Sequence, residues 1–231
     1  MQEIEAKFYV RDLKKIESRL QDLEARLIQP RVLEINIRFD LPDARLRSKG
    51  RVLRLRQDTE AKLTYKAPGK SEQGIVNRTE IEFVVEDFEK AKLFLEALGY
   101  QRLLEYDKYR TTYILDSGSS SHSQGVLPGS QKHTLSGTRA SEFHNCHIML
   151  DELPYGSFVE IEGENSAAIH SAAHRLGLDM QAAISESYSA LFEKVRRALG
   201  LTFTDLTFAN FAGIEILPEH LQIQFADSNQ Q

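Results

Sequence analysis

Pairs of like charge recur two residues apart along this chain, and that spacing suggests a chemistry. Glu3, Glu5 and Lys7 alternate near the start; Arg54 and Arg56, Arg78, Glu80 and Glu82, Lys108 and Arg110, and Glu160 and Glu162 follow the same rule, and Lys62 and Lys66 share a face with Thr64 between them. In an extended strand, residues two apart share a face. Each charged set therefore projects from one side, while apolar neighbours such as Ile4, Phe8, Leu53, Leu55, Leu63, Ile81, Val159 and Ile161 project from the other. A single strand of this kind reads as a half-exposed antiparallel strand with its polar side in water. Six of them, with the charges sorted into acidic and basic blocks, read differently. Together they carry eight bases and six acids. Closed into a barrel with the charges inside, they would enclose an ionic, wet lumen, because unpaired charge in a dry core is costly. Arginine grips phosphate oxygens in a bidentate manner, and clustered carboxylates collect hard divalent cations. The combination points to metal-bound polyphosphate.

The elements that must position these residues are legible from periodicity. Strands are expected over Glu3–Tyr9, Val32–Phe39, Arg51–Gln57, Ala61–Tyr65, Arg78–Val85, Asp107–Ile114, His147–Leu150 and Ser157–Glu162. A first helix capped by Asp12 is expected to carry Leu13, Ile16, Leu20, Leu23 and Leu27 on one face, with Pro30 just beyond its end. A second should run from Phe88 to Leu98 between Asp87 and Gly99, a third from Ser166 to Leu176, and a fourth from Ser185 to Leu199, each of the last two stopped by a glycine. Four helices would then cover the apolar outside of the barrel. Residues 117–145, rich in Ser, Gly, His and Gln, read as a flexible hairpin loop, and residues 201–231 as an extension that packs back on the domain or against a partner.

Composition bounds the rest. The 231 residues carry 29 Lys and Arg against 34 Asp and Glu, a net charge of -5, with 41% hydrophobic residues. That is enough to bury a core, and it gives no reason to expect binding to a nucleic-acid polymer. No apolar run approaches the roughly 18 residues of a membrane span, and Met1–Glu5 lacks the features of a signal peptide. The single cysteine, Cys146, cannot form an internal disulfide, so the cytoplasm is the default compartment.

The series Glu3-Ile4-Glu5-Ala6-Lys7, Leu53-Arg54-Leu55-Arg56, Leu63-Thr64-Tyr65-Lys66, Arg78-Thr79-Glu80-Ile81-Glu82, Lys108-Tyr109-Arg110, Glu160-Ile161-Glu162 and Ser187-Tyr188 resembles the ExExK signature and following motifs of the CYTH family, the triphosphate tunnel metalloenzymes. The likeness covers roughly residues 1–200. It implies an α+β fold: a closed antiparallel eight-stranded barrel, or tunnel, with helices packed outside. It also implies roles. Glu3, Glu5, Glu160 and Glu162 would hold Mg²⁺ or Mn²⁺, with Asp151 a further ligand. Lys7, Arg54, Arg56, Lys66, Lys108 and Arg110 would bind phosphates, and Arg78, Glu80 and Glu82 would complete the lumen. Glu3, Glu5, Lys7, Glu160 and Glu162 would be the catalytic set.

The expected activity is metal-dependent hydrolysis of a triphosphate such as tripolyphosphate, thiamine triphosphate or ATP. The same lumen could instead cyclise ATP to cyclic AMP and pyrophosphate, as in class IV adenylate cyclases, or bind a polyphosphate or nucleotide without turnover. Adenine contacts would fall to Asn36, Phe39, Tyr65 and Tyr109, with core packing the competing reading for the aromatics. A homodimer is left open. Gly69-Lys70-Ser71 fails as a P-loop because Thr64 stands where the first glycine belongs. His144, Cys146 and His147 lack a fourth ligand at zinc spacing, His122 and His133 read as solvated, and His170 and His174 lack the glutamate of an HExxH site. Tyr188 reads as packing the last helix on the barrel rather than touching substrate.

Overall fold

The architecture follows from the alternation described above, as a computed structural model shows. The structure describes residues 1–116 and 145–227. Eight strands form the wall: β1 (Gln2–Val10), β2 (Arg26–Asp40), β3 (Val52–Gln57), β4 (Ala61–Lys66), β6 (Ile75–Val85), β7 (Gln101–Asp116), β8 (Asn145–Leu153) and β9 (Gly156–Glu162). Short strands β5 (Lys70–Glu72) and β10 (Ala183–Ile184) lie beside β6 and β1. Around the wall the order is β1-β9-β8-β7-β2-β3-β4-β6, every pairing antiparallel. β1 closes it: Glu5–Val10 pair with β9, and Gln2–Ala6 pair with β6. Closure leaves no long wall edge to recruit another strand.

Two apolar clusters lie on the outer faces, and a third fills one end of the barrel under the fourth helix. Helices α1 (Leu13–Asp22) and α3 (Ser166–Arg175) bury Ile16, Leu20 and Ile169 against Phe8, Ile148, Val159 and Ile161. Helix α2 (Phe88–Ala97) sets Leu95 on Ile37, Phe39 and Leu55. Helix α4 (Tyr188–Leu199) packs Leu191, Phe192 and Val195 beside Tyr9, Tyr155 and Phe158. Each such buried side chain contributes roughly 1.5–3 kcal/mol relative to an exposed one. Side chains of Asp12, Asp87, Asn165 and Ser187 accept hydrogen bonds from the first turns of the four helices. The helices do not cover everything: on β6, Ile81 and Phe83 remain 54% and 53% exposed.

Several boundaries differ from expectation, and three have a clear local cause. α1 stops at Asp22, because Glu24 turns left-handed at φ 56° and the chain enters β2 at once; Leu27 therefore pairs with Tyr113 instead of extending the helix. Pro30, lacking a ladder donor, sits in β2 where the register shifts between Gln29 and Val32. α4 begins at Tyr188 rather than Ser185, since Ser187 is its cap. The loop expected at 117–145 lies outside the described residues except for Asn145, as do His122, His133 and His144. The segment after Gly200 packs back onto the barrel: Leu206 bridges to Tyr106, Phe225 bridges to Tyr9, and Leu206, Phe211 and Leu221 are buried. No helix among the described residues is long and apolar enough to cross a membrane.

Candidate active site

Alternation sends the charges inward, and register decides which of them meet. Across β1 and β9, Glu5 faces Glu162 and Lys7 faces Glu160. Glu3 faces Arg78 on β6. Lys66 faces Glu80, and Arg54 faces Thr64. Glu34 faces Lys108, and Arg110 faces Asp151. The result is one cavity of about 680 Å³. It is lined by Glu3, Glu5, Lys7, Arg54, Arg56, Lys62, Lys66, Arg78, Glu80, Glu82, Lys108, Arg110, Glu160 and Glu162, which are all eight bases and all six acids picked out by spacing.

Ion pairs organise this lumen in layers. Near the start of β1, Glu3 accepts from Lys66 Nζ at 2.6 Å and Arg78 Nε at 2.7 Å, and Glu5 Oε1 accepts from Arg78 Nη2 at 2.8 Å. Toward β3 and β4, Glu82 holds Arg56 at 3.3 Å and Thr64 at 2.8 Å. Deeper, Glu160 pairs with Lys7 at 3.2 Å and with Arg110. Glu34 lies between Lys108 at 3.4 Å and Arg56 at 3.7 Å. Asp151 does not line the cavity. It is fully buried behind it, held by Lys108, Arg110 and the hydroxyl of Tyr188.

The carboxyls divide by surroundings. Burial alone would raise Glu34, but Lys108, then Arg110, Arg56 and Arg54, hold it down at about 2. Glu160 is likewise held well below the usual range against its burial, chiefly by Lys7 and Arg110. Glu3 sits at about 2: Lys66 leads the groups that overcome burial there. Glu80 goes the other way, to about 7, through burial and its hydrogen bond with Glu3, despite Lys66. Glu162 is also raised, by burial and then by the like charges of Glu3 and Glu5. Among the described residues Glu162 has no ion pair, and Glu5 keeps Oε2 free.

This donor set fits a hard divalent cation of the Mg²⁺ type. Such an ion takes oxygen ligands and commonly uses one or two carboxylates plus substrate phosphates. Glu5 and Glu162, facing one another with free oxygens, supply two carboxylates at a point of mutual repulsion. Glu3, Glu160 and Asp151 have their oxygens engaged by lysine and arginine. Among the described residues no group of three or more His, Cys, Asp or Glu stands close enough together to hold a metal ion.

Several inward-facing residues carry no pairing signal in the sequence. Glu34, Asn36 and Arg38 alternate inward on β2, but an acid, an amide and a base two apart resemble an ordinary solvated face. Arg38 lines the cavity, and its Nη1 donates to Ser189 Oγ at 2.5 Å. Tyr188 was expected to pack, and it does, edge-on to Phe158 at 5.2 Å; its ring also borders the cavity. Ser185, Glu186 and Ser187, expected inside a helix, line the cavity too. Asn36 is fully buried, and Phe39 belongs to the outer core. Cys146 is buried in the outer core and His147 is exposed. Lys70 and Ser71 lie in β5.

Known proteins share this fold. The family model described as the CYTH domain matches residues 1–197. No curated protein matches the chain. Among solved structures, a candidate adenylate cyclase from Vibrio parahaemolyticus superposes with a TM-score of 0.62 at 18% identity, over 83% of this chain and 97% of that one. A protein from Pyrococcus horikoshii OT3 gives 0.56 at 22% identity, over 80% and 96%. A candidate adenylyl cyclase from Hippeastrum, described as having a dominant triphosphatase activity, gives 0.52 at 16% identity, over 96% and 100%. At these identities the likeness is one of fold.

Proposed function

The chain belongs to the CYTH domain family, and on that premise we propose that it is a divalent-metal-dependent phosphohydrolase acting on a triphosphate, inorganic or organic, held in the charged lumen. One observation carries the reading: eight lysine and arginine side chains line a cavity that also presents two facing carboxylates, Glu5 and Glu162, with free oxygens. A bare anion-binding pocket would be weakened by such carboxylates, whereas a pocket for a metal-bound anion needs them.

The residues have separable tasks. Lys7, Arg54, Arg56, Lys66, Lys108 and Arg110 neutralise and orient the phosphate chain in a site of reduced dielectric, where such contacts are stronger than in water. Arg78, now shared by Glu3 and Glu5, moves toward phosphate as the anion arrives and frees those carboxylates. A bound Mg²⁺ or Mn²⁺, held by Glu5 and Glu162 and joined by Glu3, would supply Lewis-acid polarisation of the phosphate oxygens. In hydrolysis a water oxygen bonds to the terminal phosphorus, the bridging P–O bond breaks, and its electrons leave with the diphosphate. The water's proton passes to solvent or to a lumenal carboxylate. The chain's contribution is alignment and charge stabilisation.

The test is a product assay on tripolyphosphate, thiamine triphosphate and ATP, each with Mg²⁺ and with Mn²⁺, resolving phosphate, pyrophosphate and cyclic AMP. Metal-dependent orthophosphate release is expected. Cyclic AMP with pyrophosphate would replace hydrolysis by cyclisation, and tight binding with no product would make the lumen a binding module.

A further inference from the structure

We propose that Asp151 and Tyr188 form a buried positioning clamp that presets Lys7, Lys108 and Arg110 for phosphate, and that Asp151 is not a metal ligand. The proposal rests on the triphosphate reading above.

The acceptor count comes first. A carboxylate offers about four lone-pair sites, and four donors reach Asp151. Oδ1 takes Arg110 Nε at 2.6 Å; Oδ2 takes Lys108 Nζ at 2.8 Å, Arg110 Nη2 at 2.5 Å and the Tyr188 hydroxyl at 2.8 Å. Oδ2 is crowded by three donors while Oδ1 takes one, but the residue is fully buried and does not line the cavity, so it has no path to a lumenal cation. The fork to Arg110 fixes the guanidinium plane. It leaves Arg110 Nη1 without a protein partner among the described residues, while Arg110 itself borders the cavity.

Tyr188 extends the clamp to a second strand pair. Its ring lies 4.4 Å from Lys7 Nζ and 5.2 Å from Lys108 Nζ, so one aromatic ring steadies both ammonium groups. Its carbonyl accepts from Tyr155 at 2.9 Å, which anchors it in the aromatic end of the barrel. Lys7 on β1, Lys108 and Arg110 on β7 and Asp151 on β8 are thereby tied to the first residue of α4. Long cationic side chains ordered before the anion arrives have less freedom to lose on binding.

The experiment uses Tyr188→Phe, which keeps the ring and deletes one hydrogen bond, and Asp151→Asn, which keeps the shape and deletes the charge. Tripolyphosphate affinity is measured by calorimetry, Mn²⁺ affinity of the protein alone by electron paramagnetic resonance, and Arg110 Nε–H solvent exchange by ¹⁵N NMR in ligand-free protein. We expect affinity for tripolyphosphate to fall about threefold to tenfold in Tyr188→Phe and about a hundredfold in Asp151→Asn, with Mn²⁺ affinity unchanged in both. Slow Arg110 Nε–H exchange in the wild type should accelerate in both variants; if Asp151→Asn does not fold, Tyr188→Phe carries the test. Loss of Mn²⁺ affinity in Asp151→Asn with phosphate affinity intact would make Asp151 a ligand and overturn the clamp. Tighter tripolyphosphate binding in that variant would reduce Asp151 to a charge balance and also overturn it. Fast Arg110 exchange in the wild type would do the same. Slow exchange in a wild type that binds no tripolyphosphate would uphold the clamp and remove the triphosphate reading.

Discussion

Two levels of the same barrel interior differ in chemistry although the same strands build both. On β1 the inward series runs Glu3, Glu5, Lys7 and then Tyr9; on β9 it runs Glu162, Glu160 and then Phe158; on β7 it runs Arg110, Lys108 and then Tyr106. Two residues along one face, a wet ionic lumen becomes an aromatic plug. Tyr9 stacks on Phe225 at 4.4 Å and tilts against Phe158 at 5.1 Å, and Phe158 meets Tyr155 edge-on at 5.7 Å. Gly156, at φ 146°, permits this closeness, since a Cβ there would stand 2.6 Å from the Tyr9 ring. The plug is covered by α4 and by the segment after Gly200. Inwardness is thus set by strand parity, and chemistry by depth along the barrel. The plug is aromatic and buried and the lumen is ionic, with Tyr188 at their boundary.

That division can be broken most sharply in the lumen. Glu162→Gln should remove metal-dependent turnover by about a hundredfold or more while the protein still folds, because Glu162 has no ion pair to lose among the described residues. Turnover rates beside a thermal melt check it; a fully active variant would leave the acidic pair without a role. In the plug the pattern should invert. Phe158→Ala should cost about 3–5 kcal/mol of stability, read by denaturant unfolding, and should leave the metal affinity of the remaining folded protein near wild type.

Glu34 tests the join between the levels by pH. Its folded value is held at about 2 against an ordinary 4.5, so its contribution is complete above about 4.5 and is lost as pH falls toward 2. Stability measured across that window should drop with acid, and Glu34→Gln should flatten the drop. It should also lower stability at neutral pH by about 3–5 kcal/mol, through uncompensated cations. The smallest effect is expected at Asn36, fully buried with neither amide atom hydrogen-bonded. Asn36→Leu should raise stability by about 1–3 kcal/mol, seen as a higher melting temperature; a loss would show that the amide has a partner in solution.

Much of the cavity lining was legible because like charges two apart are rare on solvated strands; Arg54 with Arg56 and Glu160 with Glu162 stand out for that reason. Glu34 and Arg38 do not, since an amide sits between opposite charges. Asp151 was visible as an acid, and its register with Arg110 turns it inward, but only the fold shows that Lys108, Arg110 and Tyr188 cover it beneath the lumen. Leu27 kept the helical spacing of α1, yet the left-handed turn at Glu24 took it into β2. Tyr188 has the period of a buried helix stripe, and its place at the first turn of α4 is what brings it to the lumen. The plug itself, and the segment that covers it, depend on contacts between distant residues such as Tyr9 and Phe225, which no local pattern announces.

The central claim is that the cations and the facing carboxylates serve one metal-bound triphosphate. The direct measurement is ³¹P NMR of tripolyphosphate with the full chain, in Mg²⁺ and then in excess chelator, repeated with Glu162→Gln. Conversion to orthophosphate and diphosphate with Mg²⁺, stopped by chelator and by the substitution, is the expected result. Conversion that ignores both, or no conversion at all, would contradict it.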